Sequence, residues 1–141
     1  TDEIHGDYLN QAAFSDLKAF ELILDAVPDN SNIHMANSSV VRYCQLFNPV
    51  RGMSYYGNRG VSGIDGSAST ALGIATNSKD KLNLLISGDT SFFYDSNAFW
   101  NNYLPSNFRI IVINNGGGGI FKIIQDQELQ MLQSILKLHT V

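Results

Sequence analysis

A single cysteine, Cys44, stands among the 141 residues. One thiol closes no internal disulfide and builds no thiolate metal cluster. It falls in an apolar helical stretch, which reads as a buried, inert thiol rather than a nucleophile. Charge is sparse too, at 16% of residues with a net charge of −4. No positive excess marks a nucleic-acid or anionic-membrane surface, so neither partner is expected. No apolar run approaches the ~18 residues that a spanning helix needs. No basic segment leads into an apolar one at Thr1, so secretion is not indicated and a cytoplasmic location is expected. Glutamate is scarce, with only Glu3, Glu21 and Glu128. There is no internal repeat, and no low-complexity segment beyond the four glycines at 116–119.

What is present is a globular composition, 44% hydrophobic, long enough for one sizeable core and a single domain over 1–141. The organising stretch is 88–121. An apolar run (Leu82, Leu84, Leu85, Ile86) stops at Ser87-Gly88-Asp89, and a second (110–113) stops at Asn114-Asn115 and the glycines. Short runs flanked by turn residues suit buried parallel strands. The intervening 95–104 segment reads as a helix ended near Pro105, with Phe99 and Trp100 in the core. The unit is therefore β-α-β, and a right-handed crossover puts both strand ends on one sheet edge. Open α/β sheets bind ligands outside that edge.

Asp89 offers a hard carboxylate oxygen there, Asn115 an amide oxygen, and the glycine run bare carbonyls. Such oxygens, too few to enclose an ion, suit Mg²⁺ sharing its shell with water and phosphates. Glycines let backbone approach a diphosphate without Cβ interference. On these residues alone, an ordinary strand-turn-helix with a flexible glycine loop is the better account.

Upstream, 1–11 is a polar lead-in carrying His5. Phe14-Ser15-Asp16-Leu17 opens a helix through Leu17, Phe20, Leu22, Leu24 and Val27 at roughly helical spacing, ended by Pro28. A short strand follows at 33–36, in which His34 reads as a packed or partly exposed strand residue rather than a ligand. Asn37-Ser38-Ser39 turns into a helix over 40–47, where small polar residues can cap the first turn or leave it for an anion. Arg42 lies one turn beyond Ser38, so both can face one side. Three of the four arginines fall between 42 and 59. In an acidic chain that concentration suits carboxylates held by planar guanidinium forks, although Arg51 reads as solvated. A second strand is expected over 53–56. A helix rich in small residues (Ala68, Ala71, Gly73, Ala75) runs through Thr76, and small residues suit close packing on a sheet. Downstream, 125–138 reads as an amphipathic helix, with His139 near its end.

Gly88-Asp89-Thr90, then 23 residues, then Asn114-Asn115, resembles the thiamine-diphosphate motif, with Thr90 in place of its third glycine. Asn58-Arg59-Gly60-Val61-Ser62-Gly63-Ile64-Asp65-Gly66 and Asn37-Ser38-Ser39-Val40-Val41-Arg42 narrow the resemblance to the MenD family. Those synthases of menaquinone biosynthesis make 2-succinyl-5-enolpyruvyl-6-hydroxy-3-cyclohexene-1-carboxylate. The resemblance implies a three-layer, doubly wound, mostly parallel sheet with helices on both faces, and a diphosphate- and Mg-binding domain that is a piece of a longer chain. It implies thiamine diphosphate with Mg²⁺, or Mn²⁺ in its place, held by Asp89, Asn115 and Gly117. Asn37, Ser38, Ser62 and Ile64 would border the cofactor, Ile64 as the apolar wedge that props its bent form. Gly88, Thr90, Ser91, Gly117, Ile120 and Phe121 would complete that border. Arg42 and Arg59, with Ser38 near them, would hold the carboxylates of 2-oxoglutarate and isochorismate, and together with Ile64 they make the implied catalytic set. The implied reaction decarboxylates 2-oxoglutarate and adds the succinyl carbanion equivalent to isochorismate. The activating glutamate would come from a pyrimidine-binding domain of a neighbouring subunit, in a homodimer or homotetramer. An acetolactate-type thiamine enzyme and a non-catalytic flavodoxin-like module are the competing readings.

Overall fold

The computed structural model describes residues 6–8, 11, 13–50 and 52–116. Gly117, Ile120, Phe121, Arg51, His5, His139 and the helix expected over 125–138 lie outside the described residues.

Ser15 starts the first helix, α1 (Asp16–Ala26), its Oγ accepting from the Lys18 amide at 3.4 Å. The next turn is closed by Ser31, whose hydroxyl donates to the Pro28 carbonyl at 2.6 Å. There follow β1 (Asn32–Met35), α2 (Ser39–Cys44), β2 (Ser54–Gly57), α3 (Ser67–Asn77), β3 (Asn83–Gly88), α4 (Asp89–Tyr94), a 3₁₀ turn (Ser96–Phe99) and β4 (Phe108–Ile113). The four strands form one sheet in the order β2-β1-β3-β4, with every pairing parallel. In register, Ile33 lies beside Tyr55 on one side and Leu84 on the other.

Strand side chains alternate between faces, so β3 feeds two cores. Leu84 and Ile86 join Ile33, Phe20 of α1, and Val40 and Cys44 of α2 in one buried cluster. Leu85 points to the other face, against Ala68 and Ala71 of α3, with Phe99, Phe108 and Ile110 packed around them. The small side chains of α3 let it sit close on the sheet. Helices therefore cover both faces of a parallel sheet, the α/β arrangement of the thiamine-diphosphate-binding type that the resemblance implies.

The amino ends of the strands carry a buried polar cluster. Asn83 Oδ1 accepts from Asn32 Nδ2 at 3.0 Å and Ser78 Oγ at 3.2 Å, and meets His34 Nε2 at 3.1 Å. Asn107 Nδ2 donates to the Ser78 and Lys81 carbonyls, each at 2.8 Å. Buried amides must find partners, and these find one another and the turn between α3 and β3.

Two expectations for the central crossover are corrected. The helix lies earlier than 95–104, over Asp89–Tyr94, with the 3₁₀ turn after it and no helix over 100–107. The reason is Asp95, which leaves the helical path to accept from the Ser69 amide at 2.7 Å and the Ser69 hydroxyl at 2.5 Å. Phe99 packs into the sheet as expected, whereas Trp100 is 83% exposed rather than in the core. The helix expected over 40–47 ends sooner, at Cys44, and the second strand is shifted by one residue.

No helix among the described residues is long and apolar enough to cross a membrane. From β1 the chain crosses to β2, and from β3 it crosses the opposite way to β4. The carboxyl ends of β1 and β3 are neighbours whose outgoing segments diverge, and such a switch point leaves a crevice.

Candidate functional site

The crevice is occupied by a cavity of about 100 Å³. Asn37, Ser38, Ser39 and Val40 border it from the exit of β1 and the start of α2, and Gly88, Asp89, Thr90 and Ser91 from the end of β3 and the start of α4. Ile64 comes from the loop before α3, and Ile113 and Asn115 from the end of β4. Of the cofactor-border residues implied by the resemblance and described here, all but Ser62 converge on this cavity, as do both described metal candidates.

Asp89 Oδ1 accepts from the Thr90 amide at 2.7 Å and from Thr90 Oγ1 at 3.2 Å, while Oδ2 has no hydrogen-bond partner among the described residues. Asn115 Nδ2 donates to Asp16 Oδ2 at 3.1 Å. Its own oxygen carries no such bond among the described residues. The donor set at this corner is thus hard oxygen only. No group of three or more His, Cys, Asp or Glu gathers among the described residues. This chemistry fits a cation of the Mg²⁺ kind that draws further ligands from water and a bound phosphate group.

Ser38 has φ +74 with no hydrogen bond from its side chain to the first turn of α2. Of the two roles open to these small polar residues, Ser38 does not make the capping bond. A non-glycine residue at positive φ costs free energy, and such strain gathers at ligand sites. Ser38 is the N-cap of α2, and Arg42 follows four residues on within that helix. Arg42 is exposed on α2 and does not border the cavity.

Arg59 also stays outside the cavity wall but is tied to it. Its Nη1 donates to Asn37 Oδ1 at 2.6 Å. Asn37, 2% exposed, donates in turn to the carbonyls of Asn58 at 2.8 Å and Gly63 at 2.6 Å. Asn58 Nδ2 closes the same loop on the Gly66 carbonyl at 3.0 Å and Thr70 Oγ1 at 3.1 Å. Gly66 takes φ +78 as it starts α3, a conformation that side chains with a Cβ resist. Ser91 Oγ donates to the Ile64 carbonyl at 2.6 Å, fixing that residue's backbone at the cavity. Ser62 is exposed at φ +55, its hydroxyl on the Arg59 carbonyl at 3.3 Å, and it does not border the cavity.

Sequence reasoning missed the third wall. Asp16, Phe20 and Tyr43 border the cavity, with the Phe20 and Tyr43 rings stacked at 5.2 Å. Burial, with the Asp16 charge adding to it, raises the Tyr43 phenol above its ordinary range. Their signal was faint, since Asp16 and Phe20 on α1 and Tyr43 on α2 lie in helical stretches that a core role explained equally well. Cys44 is buried, and burial pushes its thiol up to about 12, so it stays a thiol as expected.

No protein-family model matches the chain. It is 55% identical over 120 residues to the 2-succinyl-5-enolpyruvyl-6-hydroxy-3-cyclohexene-1-carboxylate synthase of Christiangramia forsetii, covering 85% of this chain and 21% of that protein. It is 56% identical over 117 residues to the synthase of the same name from Flavobacterium psychrophilum, covering 83% and 21%. The one from Porphyromonas gingivalis is 47% identical over 124 residues, covering 87% and 21%. The chain thus spans about one fifth of the length of the curated relatives it matches. Identity near one half over more than four fifths of this chain means that over the aligned residues it belongs to the 2-succinyl-5-enolpyruvyl-6-hydroxy-3-cyclohexene-1-carboxylate synthase family.

Proposed function

We propose that the chain, read as one domain over 1–141, is the diphosphate- and Mg²⁺-binding part of a thiamine-diphosphate-dependent synthase of menaquinone biosynthesis. The observation that carries this reading is the crevice at the switch point. It gathers Asn37-Ser38, Ile64, Gly88 to Ser91 and Asn115 from three separate motif segments around one cavity. Asp89 and Asn115 would hold Mg²⁺, or Mn²⁺ in its place, through the carboxylate oxygen and amide oxygen left without partners. Gly117, outside the described residues, is assigned to the same ion on the motif alone. Gly88, Thr90 and Ser91 would border the diphosphate, and Ile64 would press on the cofactor as the apolar wedge. Ser62, Ile120 and Phe121 keep their assignment to the cofactor from the resemblance only.

When bound, thiamine diphosphate supplies the carbon nucleophile and electron sink that decarboxylation of a 2-oxo acid requires. The chain's own residues supply position and charge. Arg59, and Arg42 on the neighbouring helix, would hold the carboxylates of 2-oxoglutarate and isochorismate, with Ser38 beside them at the cavity. No glutamate borders the cavity among the described residues. The proton-moving carboxylate would then come from a pyrimidine-binding domain of a neighbouring subunit in a homodimer or homotetramer, since general acid–base work needs hydrogen-bond reach. A cytoplasmic location accords with these small acidic substrates.

The test is Asp89→Ala in the complete synthase, followed by calorimetric titration of thiamine diphosphate with and without Mg²⁺. The expected result is loss of the Mg²⁺-dependent part of the affinity with an unchanged circular dichroism spectrum. Unchanged affinity would remove the metal assignment.

A further inference from the structure

We propose that Asn37 is a positioning residue that acts on the acidic substrate through Arg59. The inference rests on the reading above that Arg59 holds a substrate carboxylate. A primary amide has two N–H donors and one oxygen. In Asn37 both donors go to carbonyls of the 58–63 segment, and the oxygen takes Arg59 Nη1 at 2.6 Å. At 2% exposure the side chain has little left to offer a ligand, so its effect is transmitted through what it holds.

What it holds is a single charge on an exposed loop. No carboxylate pairs with Arg59 among the described residues, where the ion pair present is Lys18 with Glu21. One of the guanidinium's five N–H groups is used on Asn37, leaving most of the fork for an anion. An arginine that is ordered before its ligand arrives loses less side-chain freedom on binding, and affinity rises accordingly. The same amide grips Gly63, the neighbour of Ile64, whose carbonyl is in turn held by Ser91. One buried side chain at the end of β1 therefore fixes the arginine relative to the cavity wall.

A double-mutant cycle in the complete synthase tests this. It uses Asn37→Ala, Arg59→Ala and the pair, with KM and the calorimetric dissociation constant for each acidic substrate, and thiamine diphosphate affinity as the reference. Loss of one charge-assisted hydrogen bond predicts a rise of about tenfold in KM and in the dissociation constant for Asn37→Ala. In the Arg59→Ala background the same substitution is expected to change them less than about twofold, because coupled residues are not additive. A rise of the same size in both backgrounds, or no rise at all, overturns the proposal and leaves the role of Arg59 standing. If Arg59→Ala itself leaves both quantities unchanged, the carboxylate-holding reading falls and this proposal with it. Should Asn37→Ala fail to fold, Asn37→Asp serves in the same cycle. It keeps the size and the acceptor, deletes both donors and neutralises Arg59, and the same background dependence is expected.

Discussion

His34 is a base placed where a proton is costly. It is 3% exposed, stacked on Tyr56 at 5.1 Å, with Nε2 against Asn83 Oδ1. Burial lowers its pKa below the ordinary 6.5, and the bond to Asn83 offsets only part of that. Below 6.5 the unfolded chain takes up the proton first, so protonation favours unfolding. Stability from this group is therefore complete above about 6.5 and is lost as pH falls through the lowered folded value. Denaturation of wild type and His34→Phe across that window should show a shallower pH dependence in the variant, which cannot titrate there. Equal slopes would place the titration elsewhere.

At the scale of elements, α3 shows how a helix start can be finished by a distant segment. Its N-cap, Gly66, has no side chain to offer the first-turn amides. Asp95, 3% exposed and beyond α4, accepts both the amide and the hydroxyl of Ser69 instead. Asp95→Ala should destabilise the domain by about 2–3 kcal/mol, the scale of a lost buried charge-assisted bond. Thermal unfolding of the variant checks this, and an unchanged midpoint would contradict it. The same contact explains where sequence reading stopped. The strands around Ile33 and Leu84 to Ile86, and the helices from Asp16 and Ser67, were legible because apolar period and turn residues agree there. The helix expected over 95–104 was misplaced because Asp95 answers to a partner 26 residues away. At the site, Asn37, Ser38, Ile64 and the 88–91 turn were legible as motifs. Asp16, Phe20 and Tyr43 were not, since they belong to the cavity only by tertiary packing. Arg42, singled out beside Ser38 by helical spacing, is exposed and does not border the cavity.

For the whole molecule, the described residues supply oxygen donors at the cavity and an arginine anchored beside it, but no glutamate at the cavity. The 141-residue chain alone is accordingly expected not to turn over 2-oxoglutarate and isochorismate with thiamine diphosphate and Mg²⁺ present. A coupled assay of CO₂ release checks this, and steady turnover would contradict the division of the site between domains. Trp100, displaced from the core by the course of the crossover, has an optical consequence. It is the chain's one tryptophan and is already 83% exposed in the folded state. Its indole meets much the same water before and after denaturation, so tryptophan emission should scarcely change wavelength as the sheet melts. Backbone dichroism will carry the transition, and iodide should quench the folded chain almost as readily as the unfolded one.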